Sequence, residues 1–387
     1  MIDAEAIVNI KLLTALSNDG NFQIDLISKM GGQNYPTDSF ESYNVKINRY
    51  HIEKVENKIS VLSIWQHIKA FFVFGSTFMG AHWAIKALPT MKKFMESNNY
   101  DYLLTKNSPS LLLGYYAKKK YGIKWVATWN DPCPDVKYPE PYGKGSQAKV
   151  GLLDWLQIRV MKQADVHIFP SSRIKDYMIS YLKISEEKCR VIPHVALNTD
   201  KTPFLCSEKS VLKMIHSGNL KYPRNPRPFL KALHTFHKAF PERELSVTLM
   251  GVFDKDIPSL VNSLELGSIV HLSKAVSYQE SISILADYHV CIIIEADCEE
   301  GIFLPTKVSD FFQCGKTVFS LSPQNGVLND LFKKGCISYF SYVNSEEEIY
   351  TQLCKIYQDY KLGAFNNNSF IPAEFSEKVI AQQYASL

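Results

Sequence analysis

Residues Glu300 to Ser320 read EGIFLPTKVSDFFQCGKTVFS, and the fold turns on them. Just before them runs Cys291-Ile-Ile-Ile-Glu295, a continuous apolar run of the kind that forms a strand buried on both faces. Pro305, Thr306 and Lys307 then form the first turn of a helix that Gly315 ends, and Thr317–Leu321 begins the next strand. Proline suits that turn because its missing N–H would be unpaired there anyway. No Ser, Asp or Asn precedes it as a cap. The turn therefore offers open N–H donors, a hydroxyl and a lysine to an anion such as a diphosphate. Lys307 and Asp310, three apart, share one helix face, so a plain surface ion pair is the competing reading.

Outward from this stretch, strands and helices alternate almost end to end. The first half gives strands at Phe22–Ser28, Tyr100–Lys106, Lys124–Trp129, Asp165–Ser171 and Arg190–Val195. The second gives Leu212–Ser217, Leu245–Gly251, Ile269–Ser273, His289–Glu295, Thr317–Leu321 and Ile337–Ser341. Apolar strands alternating with helices imply parallel sheets covered on both faces. Two such runs imply an α/β protein of two doubly wound, Rossmann-like domains facing a cleft. We expect an N-terminal domain over 1–197, a polar linker beginning at Asn198, a second domain over 210–370 and a last helix within 371–387. The chain opens on a helix, Asp3–Leu16, where a doubly wound domain opens on its central strand. A missing first strand would correspond to an upstream extension of about 10–25 residues.

Bulk composition narrows the function classes. The chain has 387 residues, 46% of them apolar, and a formal charge of +4, too small to argue for nucleic acid. Eight scattered cysteines without a CxxC pair speak for a reducing, cytoplasmic setting and against a zinc site, so no metal is expected. The most apolar long stretch, His67–Leu88, is interrupted by Lys69, His82 and Lys86, so it reads as a buried helix rather than a membrane span. An amphipathic helix on a membrane surface is the other reading, and Lys92-Lys93 and Lys118-Lys119-Lys120 would suit peripheral contact with the inner face of the cell membrane.

Candidate site residues gather at strand ends. Leu212–Ser217 runs into Gly218-Asn219 and on to Arg224, where glycine allows close backbone approach and arginine offers a planar fork for phosphate. Two cations, Arg224 and Lys307, would neutralise a diphosphate leaving group without a metal or other cofactor. Asp310 would accept hydrogen bonds from a ribose. Glu295, Asp297, Glu299 and Glu300 offer acceptors for sugar hydroxyls. Lys124–Trp129 ends in Asn130-Asp131-Pro132, a carboxylate held beside proline.

This order of features resembles the retaining glycosyltransferases of family 4, which have the GT-B fold. The resemblance rests on AKKKYGIKWVATWNDPCPD, QADVHIFPSSRIKDYM, CRVIPHV, HSGNLKYPRNPRPFLKAL and the opening stretch, with FSEKVIAQQYASL as the helix that crosses back to the first domain. It implies transfer of a sugar from a nucleoside-diphosphate sugar to a saccharide or lipid-linked saccharide acceptor. It further implies a diphosphate seat of Gly218, Asn219, Arg224, Thr306 and Lys307, with Asp310 on the ribose and Val276 beside the nucleobase. Sugar contacts would come from Glu300, Ile302, Phe303 and Leu304, and Asp131 and Glu300 would be the catalytic carboxylates. Three features depart from the family: Asn219 stands where many relatives have Arg, Glu300 lies further from Asp310 than usual, and the first strand with its Gly-rich loop is absent. A nucleotide-sugar epimerase and a non-catalytic nucleotide-sugar-binding subunit remain alternatives, and oligomeric state is open.

Overall fold

The computed structural model describes residues 4–29, 48–52, 61–106, 108–197, 210–367 and 371–387. Two compact units divide the chain. The first comprises Asn9–Pro193 with Lys378–Leu387, and the second Met1–Val8 with His194–Glu377.

The first unit takes in α1 (Ala4–Asp19) from Asn9 onward, then β1 (Asp25–Lys29) and β2 (Asn48–Ile52), the two strands pairing in parallel. Next come α2 (Val61–Phe74), α3 (Ala81–Ser97), β3 (Tyr102–Lys106), α4 (Ser110–Tyr121) and β4 (Lys124–Thr128). Then follow α5 (Leu152–Met161), β5 (Val166–Phe169), α6 (Ser172–Leu182) and β6 (Cys189–Val191). Strands β3-β4-β5-β6 form one parallel sheet in chain order. Its core is aromatic and tight. Trp125 is fully buried and donates its indole N–H to Thr105 Oγ1 at 2.8 Å. A Cβ on Gly114 of α4 would sit 2.2 Å from that indole nitrogen, so only glycine lets the helix lie this close to the ring. His167 stacks between Trp129 and Phe169, with ring centroids 6.0 and 6.3 Å apart.

The second unit contains β7 (Leu212–Ser217), α7 (Arg227–Ala239), β8 (Leu245–Met250), α8 (Ile257–Ser263), β9 (Val270–Ser273) and α9 (Tyr278–Ile284). After them come β10 (Val290–Ile294), α10 (Lys307–Gln313), β11 (Thr317–Ser322), α11 (Val327–Lys333), β12 (Tyr339–Tyr342) and α12 (Glu346–Lys361). Its six strands are all parallel, in the order β12-β11-β10-β7-β8-β9. Every residue of β10 and β11 is buried, as expected of strands covered on both faces. The last helix, α13 (Glu377–Ala385), lies in the first unit apart from its opening residue, and its Tyr384 carbonyl accepts the Tyr102 hydroxyl at 3.2 Å.

Most strand ends fall within two residues of expectation; the strands expected at Phe22 and up to Val195 are trimmed to start at Asp25 and end at Val191. His67–Leu88 needs a larger correction. It is not one helix: Gly75 and Gly80, both at positive φ (71° and 83°), break it into α2 and α3. Nor is α2 fully buried, since Trp65 and Phe72 are 65% and 84% exposed.

Candidate functional site

Strands β7 and β10 are neighbours, and the strand order runs outward from that pair in both directions. The loops leaving their carboxyl ends therefore part at the switch point where doubly wound sheets bind ligands. The first is the Gly218–Pro226 loop, and the second leaves β10 at Glu295. Both were singled out in the sequence, and the structure brings them together. Arg224 pairs with Ala296 through a backbone bridge, and its Nε and Nη2 donate to the two Glu295 carboxylate oxygens at 3.3 and 3.2 Å. This side-on pair fixes the plane of the guanidinium. Glu295, expected as a sugar acceptor, is thus bound to the arginine. Asp297 is likewise engaged, accepting the Tyr342 hydroxyl at 3.0 Å.

Lys307 opens α10 and lies across the backbone of the first loop. A Cβ built on Gly218 would stand 1.8 Å from Lys307 Nζ and 2.8 Å from its Cε, and Gly218 has φ 154°. The absence of a side chain at Gly218 is what lets the ammonium reach this spot. Gly251 at the end of β8 repeats the device, since its Cβ would lie 2.1 Å from the Gly218 carbonyl oxygen. Burial, with Arg224 repelling and Glu295 and Asp310 attracting, brings the Lys307 pKa down to about 8. Near neutrality the ammonium is held at some cost, which an arriving anion would remove.

Around this pair the remaining expected residues are distributed as follows. Thr306 occupies the N-cap position of α10 without a side-chain capping bond, and Pro305 stays outside the helix. Asn219 follows Gly218 in the same loop and is exposed. Asp310, 8% exposed, accepts the Tyr278 hydroxyl at 2.8 Å, which ties α10 to the turn carrying half-buried Val276. Gly301 is clipped to Asn325 and Val327 by backbone bonds of 2.8 and 2.9 Å, next to half-buried Glu300. Ile302 and Leu304 point into the core (0% and 6% exposed), so along this strap they present backbone, while Phe303 is half-buried. Asp131 stands exposed after β4 in the first unit.

One buried group escaped the sequence reading. His216, in β7, is 2% exposed, and its Nδ1 donates to the Ile292 carbonyl at 3.1 Å. That bond leaves Nε2 as the lone-pair nitrogen, without a hydrogen-bond partner and 3.6 Å from the Gly218 Cβ position that Lys307 approaches. Burial, then repulsion by Lys307, holds the imidazole neutral, with its pKa well below 6.5. The lysine patch moves the other way. Lys118 is tied to Asp165 at 2.6 Å and to the Gln163 carbonyl at 2.8 Å, which gives it a structural role.

Comparison with known proteins agrees with this architecture. The family model described as Glycosyltransferase Family 4 matches residues 55–195, a stretch that excludes the Lys307 site. Sucrose-phosphate synthase from Thermosynechococcus elongatus superposes with a TM-score of 0.62 at 14% identity, over 98% of this chain and 91% of that one. The lipopolysaccharide outer core galactosyltransferase WaaB in its apo form gives 0.62 at 12% identity, over 99% and 94%. A UDP-N-acetylglucosamine 2-epimerase gives 0.57 at 12% identity, over 97% and 91%. Among curated proteins none matches the sequence. The fold is α/β of the GT-B type, built from parallel, Rossmann-like sheets and shared with glycosyltransferases.

Proposed function

We propose that the chain is a retaining glycosyltransferase that uses a nucleoside-diphosphate sugar and needs no metal or other cofactor. The observation that carries this reading is the lodging of Lys307 Nζ against the bare backbone of Gly218, beside Arg224 at the switch point. There Gly218, Asn219, Arg224, Thr306 and Lys307 would hold the diphosphate. Asp310 would take the ribose, the Val276 turn the base, and Glu300 with the 302–304 strap the sugar. As the bond from the anomeric carbon to the phosphate oxygen breaks, negative charge grows on the diphosphate, and the two cations stabilise it. That oxygen would take the proton of the acceptor hydroxyl on the same face, while the hydroxyl oxygen bonds to the anomeric carbon. Asp131 would act near that carbon. The acceptor we infer is a saccharide or lipid-linked saccharide, in the assembly of a cell-surface polysaccharide or glycolipid.

Lys307→Ala and Arg224→Ala should each lower turnover by about 10²–10³, the scale for losing one electrostatic stabiliser. Donors are first found by thermal shift against a panel of nucleotide sugars, then assayed with saccharide acceptors. Wild-type rates in both variants would refute the site. The epimerase among the structural neighbours supports a second reading on the same scaffold. A changed nucleotide sugar formed without any acceptor would favour that reading. Donor binding with neither transfer nor epimerisation would favour a binding subunit.

A further inference from the structure

Twelve large apolar side chains are exposed among the described residues, and eight of them lie on α2, the turn after it and α5. On α2 they are Ile64, Trp65, Ile68, Phe71 and Phe72, from 40% to 84% exposed. Their spacing places them along one face of the helix. The opposite side is anchored in the core by Ala70 and Phe74, at 0% and 3%. A helix buried on one side ordinarily turns charge to water on the other; this one turns aromatics, with no acidic residue and one lysine, Lys69, in its fourteen positions. The next helix of the patch is close by, since Ser76 Oγ lies 3.5 Å from the Leu156 carbonyl of α5. That helix adds exposed Leu152 and Trp155, the latter under the Arg159 guanidinium at 4.8 Å.

Charge is segregated to the same part of the chain. Residues 61–163 carry fourteen Lys and Arg against six Asp and Glu, while the rest carries twenty-nine against thirty-three. An apolar, Trp-bearing face on a basic stretch of chain, with Lys69 and Arg159 exposed on its two helices, matches the interface of an anionic bilayer, where the rings reach acyl chains and the cations meet headgroup phosphates. No helix among the described residues is long and apolar enough to cross a membrane, so the contact would lie in the plane of the surface. We propose that the outer face of α2, with the start of α5, docks the protein on anionic phospholipid bilayers. This inference concerns side chains of the first unit, whereas Lys307 belongs to the second, and it stands whether or not sugar transfer is the activity.

The test uses the full chain and vesicles of phosphatidylcholine with or without roughly 30 mol % phosphatidylglycerol. Cosedimentation should show at least about tenfold stronger partitioning onto the anionic vesicles. Of the five tryptophans, Trp83, Trp125 and Trp129 are buried, so a blue shift and quenching by brominated lipid would report Trp65 and Trp155. The double variant Trp65→Ser, Phe72→Ser should lose about tenfold or more in partitioning, and Lys69→Glu with Arg159→Glu about threefold or more. Both pairs are at the surface, and unchanged thermal unfolding checks that the variants are folded. The proposal is overturned if wild type binds no vesicles, or if the aromatic double variant binds as wild type does. A wild-type dimer that becomes a monomer in the double variant, without vesicle binding, would overturn it in favour of a contact between two copies.

Discussion

The four-stranded and six-stranded sheets each bury a histidine, and beside each a glycine presses against a larger side chain, but to different ends. In the first unit Gly114 faces the ring of Trp125, and His167 lies in an aromatic stack, accepting the Trp129 indole N–H on Nδ1 at 3.1 Å. In the second, Gly218 faces the tip of Lys307, and His216 turns a lone pair toward the same spot. A rigid ring leaves no room to adjust, whereas a lysine tip is movable and charged. The first arrangement is about holding the sheet together, and the second keeps a cation close to bare backbone.

Substitutions sharpen that contrast. Gly114→Ala should cost about 3 kcal/mol of stability by forcing Trp125 out of place, measured by chemical denaturation, with residual donor affinity unchanged in the folded fraction. A loss under half a kcal/mol would mean the first sheet is not tightly packed. His167→Phe addresses acid stability. Burial holds the folded pKa of His167 at about 4, below the ordinary 6.5, so its neutral form contributes stability that is full above pH 6.5 and fades as pH falls toward 4. The variant should remove up to about 3 kcal/mol of that acid-side slope, read from unfolding curves across this window. It should also lose about 1 kcal/mol at neutral pH, because Trp129 no longer has its acceptor.

In the second unit the effects should appear in binding. Gly218→Ala pushes Lys307 aside and strains a backbone at positive φ, so calorimetry should show donor affinity reduced by about tenfold or more with only a modest stability change. Equal affinity would break the assignment of the ammonium to the diphosphate. Lys307→Met should act in the opposite sense on folding. The Lys307 pKa is lowered to about 8, so the unfolded chain holds the proton more tightly between pH 8 and 10.5, and the wild type gains stability as pH rises there. Below that window the methionine variant should be more stable by about 1 kcal/mol, a figure reduced because Lys307 is only partly buried, yet bind donor poorly.

Much of the fold was legible because long apolar runs bounded by glycine or proline admit few readings. Leu212–Ser217, ended by Gly218, has the expected bounds in the structure. The polar strand Asn48–Ile52 was missed because its sequence, NRYHI, lacks an apolar alternation. Helix α10, only seven residues, is too short for a periodic signal and was legible from the Pro305 and Gly315 that bracket it. At the site, the loops and cations could be read from the order of elements. The partners could not: Arg224 and Glu295 are 71 positions apart and meet because β7 and β10 are adjacent. Tyr278 of α9 and Asp310 of α10, 32 positions apart, likewise meet only in the fold. His216 was overlooked because one polar residue in an apolar strand gives no sign of which nitrogen its fold will engage.

The alternation along residues 302–304 has an evolutionary consequence. With Ile302 and Leu304 rooted in the hydrophobic interior, the segment is seated by those two side chains, and half-buried Phe303 between them is less bound by core packing. On the proposed assignment of this strap to the sugar, a change of preference would be made by exchange at position 303 on a mount that itself stays unchanged.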